Sequence, residues 1–121
     1  MNAHVGYPLI IDDSIPASLS PFFLQKVLRE QLNFRGLIIS DDLEMRGALN
    51  TTPDTSVATV AAIRAGNDIV LISHTPTLQV RAWHLLHRHM SDQQFRGRVK
   101  QAVQRVLTVK LRAFRSKSAV P

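Results

Sequence analysis

At 121 residues, 45% of them hydrophobic, the chain has the length and apolar content of one globular domain, and no apolar run nears the ~20 residues needed to cross a bilayer. With no cysteine it can form no disulfide, thiolate metal site or cysteine nucleophile; this composition suits a reducing compartment, so a cytoplasmic location is expected. The net charge of +6 belongs to the C-terminal third: residues 1–80 hold five Lys/Arg against eight Asp/Glu, residues 81–121 ten against one, a block that reads as the solvated face of a helix before it reads as a surface for nucleic acid or membrane.

In chain order, the apolar run Ala3 to Val5 predicts a first buried strand. Ser20-Pro21 then offers a capping hydroxyl followed by a first-turn proline, and Phe22, Leu24, Val27, Leu28 and Leu32 make an apolar stripe at helical spacing, so a helix is predicted to end near Asn33. Gly36 to Ile39 predicts a second strand. Asp54 caps a second helix running through Val57, Val60, Ala61 and Ile63 to Gly66, a residue able to take the left-handed conformation that stops helices. Asp68 to Ile72 is the third strand. Pro76 opens a helix containing Leu78, Val80, Trp83 and Leu86, and after Ser91-Asp92 another runs through Phe95, Val99, Val103, Val106 and Phe114. From Arg115 onward a frayed end is expected.

The three strands are apolar throughout rather than alternating, as strands are in a parallel sheet covered on both faces. Strands recurring roughly every 30 residues with helices between them describe successive βα units, as in a doubly wound sheet or a (β/α)₈ barrel. In such folds the chemistry gathers at the carboxyl ends of strands. The second strand ends in Ser40-Asp41-Asp42-Leu43-Glu44-Met45, three carboxylates that take part in catalysis, cap a following helix or satisfy a polar strand end. Successive strand residues face opposite ways, so Asp41 and Asp42 are no ready-made acid/base pair in a regular strand. A metal site joining these aspartates to His4 or His74 lacks any recognisable ligand spacing, and no metal or cofactor is expected. His4 and His74 stand on the same rim as Asp41, while His84, His87 and His89 share no single helix face and read as surface residues.

Three blocks resemble family-3 glycoside hydrolases of the bacterial β-N-acetylhexosaminidase branch. The first is Met1-Asn2-Ala3-His4-Val5 with Tyr7-Pro8 and Pro16-Ala17-Ser18-Leu19-Ser20. The second is Leu28-Arg29, Leu32, Phe34 and Gly36-Leu37-Ile38-Ile39-Ser40-Asp41-Asp42-Leu43-Glu44-Met45. The third is Ala65-Gly66 with Asp68-Ile69-Val70-Leu71-Ile72. The resemblance implies an α/β fold consisting of the last three βα units of a (β/α)₈ TIM barrel plus a C-terminal helix, with residues 1–114 in the catalytic domain and 115–121 a flexible tail.

It further implies a retaining β-N-acetylglucosaminidase acting on N-acetylglucosamine-containing glycosides, typically peptidoglycan fragments during wall recycling. Asp41 corresponds to the catalytic nucleophile, Asp42 to a structural neighbour, and His4 and Met45 to residues lining the sugar pocket. The branch's acid/base histidine lies in a Lys-His-Phe-Pro-Gly-His-Gly-like segment that does not occur in this sequence. The chain is therefore expected to be a piece of the enzyme, inactive alone and partnered by a complementary N-terminal barrel fragment or by self-association. The alternatives are a non-catalytic α/β remnant that self-associates, and a basic module that binds nucleic acid through Arg96, Arg98, Lys100 and Arg105.

Overall fold

The computed structural model describes residues 1–10, 15–50 and 52–117. A short 3-10 turn, Ala17–Leu19, precedes a π-helix, Phe22–Gln31. Strand β1 (Ile39–Asp42) follows, then helices α1 (Arg46–Leu49) and α2 (Thr55–Ala65), strand β2 (Ile69–Leu71), and helices α3 (Pro76–His89) and α4 (Gln93–Lys117). From the first helix onward the order matches the expected alternation, with α1 as an unexpected single turn and no strand ahead of the 3-10 turn.

The strands β1 and β2 pair in parallel, and Asn2 makes an isolated parallel bridge to Ser40 on the other side of β1. Each of the three expected strands is shorter or displaced, for reasons visible in the hydrogen bonds. Asn2 N–H bonds to the Ile39 carbonyl and Asp41 N–H to the Asn2 carbonyl, but the Val5 carbonyl takes the N–H of Ala17 instead of a strand partner. The expected strand Ala3 to Val5 is thus not a strand, because its backbone turns away to hold the 3-10 turn. The second strand is shifted from Gly36 to Ile39 toward Asp42, since Arg29 occupies the Gly36 carbonyl and the Asp68 carboxylate occupies the Ile38 N–H.

Helix signals are realised closely where a side chain caps the backbone. The Asp54 carboxylate accepts from Ser56 N–H at 2.7 Å, and Asp92 accepts from Gln94 and Phe95 N–H at 2.9 and 3.2 Å. Gly66 ends α2 at φ 133°, a conformation disfavoured for any side chain, and an added Cβ would lie 3.1 Å from Leu24 Cβ. The first helix departs from α geometry: Leu32 N–H bonds to the Val27 carbonyl five residues back, and Leu32, expected on the apolar stripe, is exposed. Helix α4 continues past Phe114 to Lys117, so the end expected to fray at Arg115 starts as helix; residues 118–121 of that tail lie outside the described residues.

Helix α2 is the centre of the core. Ala62 packs with Leu19, Leu43 and Ala48, Ala65 with Leu24 and Ile38, and Val60 and Ile63 with Phe95 of α4. Below the strands lies a charged hub. The Asp68 side chain, 0% exposed, receives Arg29 at 2.6 Å, Arg98 at 2.8 Å and Arg105 at 2.9 Å, together with the Ile38 N–H at 3.1 Å. Two of the four cations that a nucleic-acid module would use, Arg98 and Arg105, are therefore committed to holding α4 on the fold.

Candidate active site

The end of β1 is irregular in a way that bears on its carboxylates. Ile39 is in register with Ile69 and Asp42 with Leu71, so three steps on β1 match two on β2 and the extra residue forms a bulge at Ser40-Asp41. The ladder is repaired by a side chain, with Leu71 N–H donating to the Ser40 hydroxyl at 3.1 Å, and it closes again where Leu43 N–H meets the Leu71 carbonyl. Through the bulge the alternation of burial is kept, with Ile39 and Asp41 half-buried and Ser40 and Asp42 buried.

Asp41 and Asp42 have different surroundings, as strand alternation requires. Asp41 is half-buried; its Oδ1 accepts the Asp42 N–H at 2.9 Å, and its Oδ2 has no hydrogen-bond partner among the described residues. Asp42 is buried, its carboxylate taking the Glu44 N–H at 3.0 Å, the Ser73 hydroxyl and His74 Nδ1 at 2.8 Å. Burial pushes the Asp42 carboxyl up, and the bonds from Ser73, the Glu44 N–H and His74 outweigh it, leaving it below the usual range. Glu44 accepts from His74 N–H at 2.6 Å and Thr75 N–H at 3.2 Å, and bonds from these two residues hold its carboxyl low as well. Asp42 and Glu44 thus fasten the loop after β2 to the loop after β1. Chemically, Asp41 is the carboxylate with an oxygen available to react, and its two acidic neighbours are occupied.

His4 lies half-buried on the same rim. Its Nε2 is 2.8 Å from the Asp42 carbonyl and its Nδ1 is 2.5 Å from the Ser18 hydroxyl, so both ring nitrogens are engaged within the protein. Met45 is exposed beside Asp42, its N–H on the Asp42 carbonyl. His74, which as a lone histidine reads as a hydrogen-bonded structural residue, reaches Asp42, and Asp42, Glu44 and His74 each bring one donor atom within 4.8 Å of the others. These three are the described residues able to hold a cation, although Glu44 and Asp42 already accept bonds from the adjoining loop. His84 and His87 are exposed, as expected, and His89 is half-buried against the Phe95 ring.

Sequence and structure comparisons place the chain in a family. Residues 1–109 match the model of the glycosyl hydrolase family 3 N-terminal domain. A β-hexosaminidase of Methylobacillus flagellatus is 47% identical over 76 residues, covering 63% of this chain and 21% of that protein. Among solved structures, a family-3 β-N-acetylglucosaminidase from Paenibacillus sp. superposes with a TM-score of 0.83 at 28% identity, covering all of this chain and 23% of that one. A β-N-acetylhexosaminidase from Beutenbergia cavernae gives 0.72 at 31% identity over 79% of this chain and 28% of its own. The chain thus spans between 21% and 28% of the length of these relatives, and its α/β fold is that of the matched domain. On a match that covers nearly all of its residues, the chain belongs to glycoside hydrolase family 3.

Proposed function

We propose that this chain carries the nucleophile of a retaining β-N-acetylglucosaminidase, and that the nucleophile is Asp41. The observation that supports this most is the setting of Asp41 at the carboxyl end of β1, half-buried with one carboxylate oxygen fixed by the Asp42 N–H and the other open. In the retaining mechanism that open oxygen attacks the anomeric carbon, a glycosyl-enzyme ester forms as the leaving oxygen is protonated, and water then cleaves the ester with the anomeric configuration restored. The substrate class is a glycoside of N-acetylglucosamine, with peptidoglycan fragments as its natural source. Met45, exposed next to Asp42, packs against the sugar in this reading, and His4 closes the pocket's floor.

The three parallel segments around Asn2, β1 and β2 serve as the last three βα units of a (β/α)₈ barrel, whose catalytic groups stand at the carboxyl ends of the strands. Proton transfer to the leaving group then comes from a complementary barrel segment, which also covers the exposed Trp83, Val103 and Leu107. The test is hydrolysis of a chromogenic N-acetyl-β-glucosaminide by the chain, by the chain joined to the upstream part of a family barrel, and by the Asp41→Ala variant of each. Turnover that disappears with Asp41→Ala, and a glycosyl ester found by mass spectrometry on the Asp41 peptide, is the expected result. Turnover that survives Asp41→Ala removes the assignment.

A further inference from the structure

We propose that His4 is a positioning residue for Asp41, working as the neutral tautomer that carries its proton on Nε2. The inference rests on the reading of Asp41 as the nucleophile and adds to it the device that holds the bulged strand end in place. A carbonyl oxygen only accepts hydrogen bonds, so the ring nitrogen 2.8 Å from the Asp42 carbonyl must bear the hydrogen. In a neutral imidazole the other nitrogen is then an acceptor, and the Ser18 hydroxyl 2.5 Å from Nδ1 donates to it. Ser18 is 0% exposed, so the proton on its hydroxyl has no water to turn toward.

The frame behind this pair is closed. The Ser18 carbonyl accepts from Asn67 Nδ2 at 2.8 Å, and the Asn67 Oδ1 accepts from Asn2 Nδ2 at 2.8 Å, which returns the hydrogen-bond circuit to the segment that carries His4. Asn67 also donates to the Ala62 carbonyl, tying the frame to α2. On the outer side α1 presses against the histidine, for a Cβ placed on Gly47 would come within 2.8 Å of His4 Cβ and 2.9 Å of its carbonyl oxygen. The backbone and Cβ of His4 are thus confined by α1 while Ser18 holds its Nδ1, with its Nε2–H as the outgoing contact.

That contact lands on Asp42, the residue whose N–H fixes Asp41 Oδ1. A bulge costs a strand part of its ladder, and here the ladder between Ile39 and Asp42 is bridged by the Ser40 hydroxyl rather than by a carbonyl. His4 restrains the bulge at its far end by gripping the Asp42 carbonyl, and Asn2 restrains it at Asp41 N–H. Remove the imidazole and the Asp42 carbonyl keeps only the Met45 N–H, which loosens the peptide that follows the donor orienting the nucleophile.

The experiment uses the full chain and needs no turnover, so its outcome is separate from that of the glycosidase assay. Imidazole nitrogen shifts at neutral pH report the tautomer of His4, and amide-resolved hydrogen exchange reports the strand end. The expected result is the Nε2–H form in the parent chain, and the same form with a displaced Nδ1 shift in Ser18→Ala, because the Asp42 carbonyl still requires a donor when the Ser18 hydroxyl is gone. In His4→Ala, exchange at Asp41, Asp42 and Leu43 should quicken by roughly ten- to a hundredfold relative to Val60 and Ile63 of α2. A parent ring found as Nδ1–H or doubly protonated overturns the proposal. So does an acceleration of equal size in β1 and α2, which is what a residue supporting only the fold would give. Should His4→Ala fail to fold, the tautomer in the parent chain and in Ser18→Ala decides the question.

Discussion

Replacing Asp68 by Asn tests whether the charged hub holds the C-terminal helix to the domain. The carboxylate is enclosed by donors on both sides, with Arg29 and the Ile38 N–H on Oδ2 and Arg98 and Arg105 on Oδ1. An Asn amide keeps the shape, yet whichever way it turns, its NH₂ faces at least one guanidinium as donor against donor. The loss also leaves Arg29 and Arg98, 12% and 13% exposed, without their counter-charge. Breaking a buried pair in this manner costs about 3–5 kcal/mol, a large part of the 5–15 kcal/mol by which domains are stable. Arg105, 34% exposed, shares the same carboxylate with two like charges and is partly hydrated, so Arg105→Gln should cost no more than about 1 kcal/mol. In urea the Asp68→Asn midpoint is expected to fall by roughly 2–3 M for a slope near 1.5 kcal/mol/M. A loss below about 1 kcal/mol for Asp68→Asn, or one no larger than that for Arg105→Gln, would refute the account of a buried anion that organises three cations.

Three further outcomes are expected. Gly66→Ala introduces a side chain at φ 133° that also meets Leu24 at 3.1 Å, and should lower stability by about 1–3 kcal/mol in thermal or urea unfolding. Asp54→Ala removes the acceptor for Ser56 N–H at the start of α2 and should cost about 1 kcal/mol, with helical circular dichroism lost before the rest of the signal. The Asp42 carboxyl titrates lower in the folded chain than its unfolded value of about 3.9, so its contribution is full above that value and is lost as the pH falls through the lowered folded one. A plot of thermal midpoint from pH 6 to pH 3 should accordingly bend downward at its acid end, and Asp42→Asn should flatten that bend; an unchanged bend would show that Asp42 is not its source.

Much of the helical framework was legible because its signals are local. Asp54, Pro76 and Asp92 each act within one turn of their own position, and Gly66 acts through its own backbone. The sheet was legible as composition and illegible as register. Apolar runs mark strands that are buried on both faces, but where pairing begins depends on which backbone groups Arg29, Asp68 and Ala17 have already occupied, and those partners are 7 to 30 residues distant. The same holds for the site. Ser40-Asp41-Asp42 announced carboxylates at a strand end, while the bonds that occupy Asp42 come from Ser73 and His74, about thirty residues away, and have no mark in either segment alone. Asp68 reads in the sequence as the first residue of a strand. The one available hint of its role was a lone acid ahead of an apolar run in a chain whose last third is cationic.

The widened helix Phe22–Gln31 has a consequence for what lengths this segment accepts. Leu24, packed on Ile38 and Ala65, and Arg29, bonded to Asp68, are five residues apart and both face the domain. In an α-helix, at about 100° per residue, five steps would leave them about 140° apart, whereas four would leave them about 40° apart. One residue of the turn between them is therefore surplus to its geometry, and the exposed Lys26 sits within that turn. A chain lacking Lys26 can wind the segment as an ordinary α-helix and still present Leu24 and Arg29 to the same partners. The stretch thus stores one removable residue, and homologous chains can differ here by a single deletion without moving the strand that comes after it.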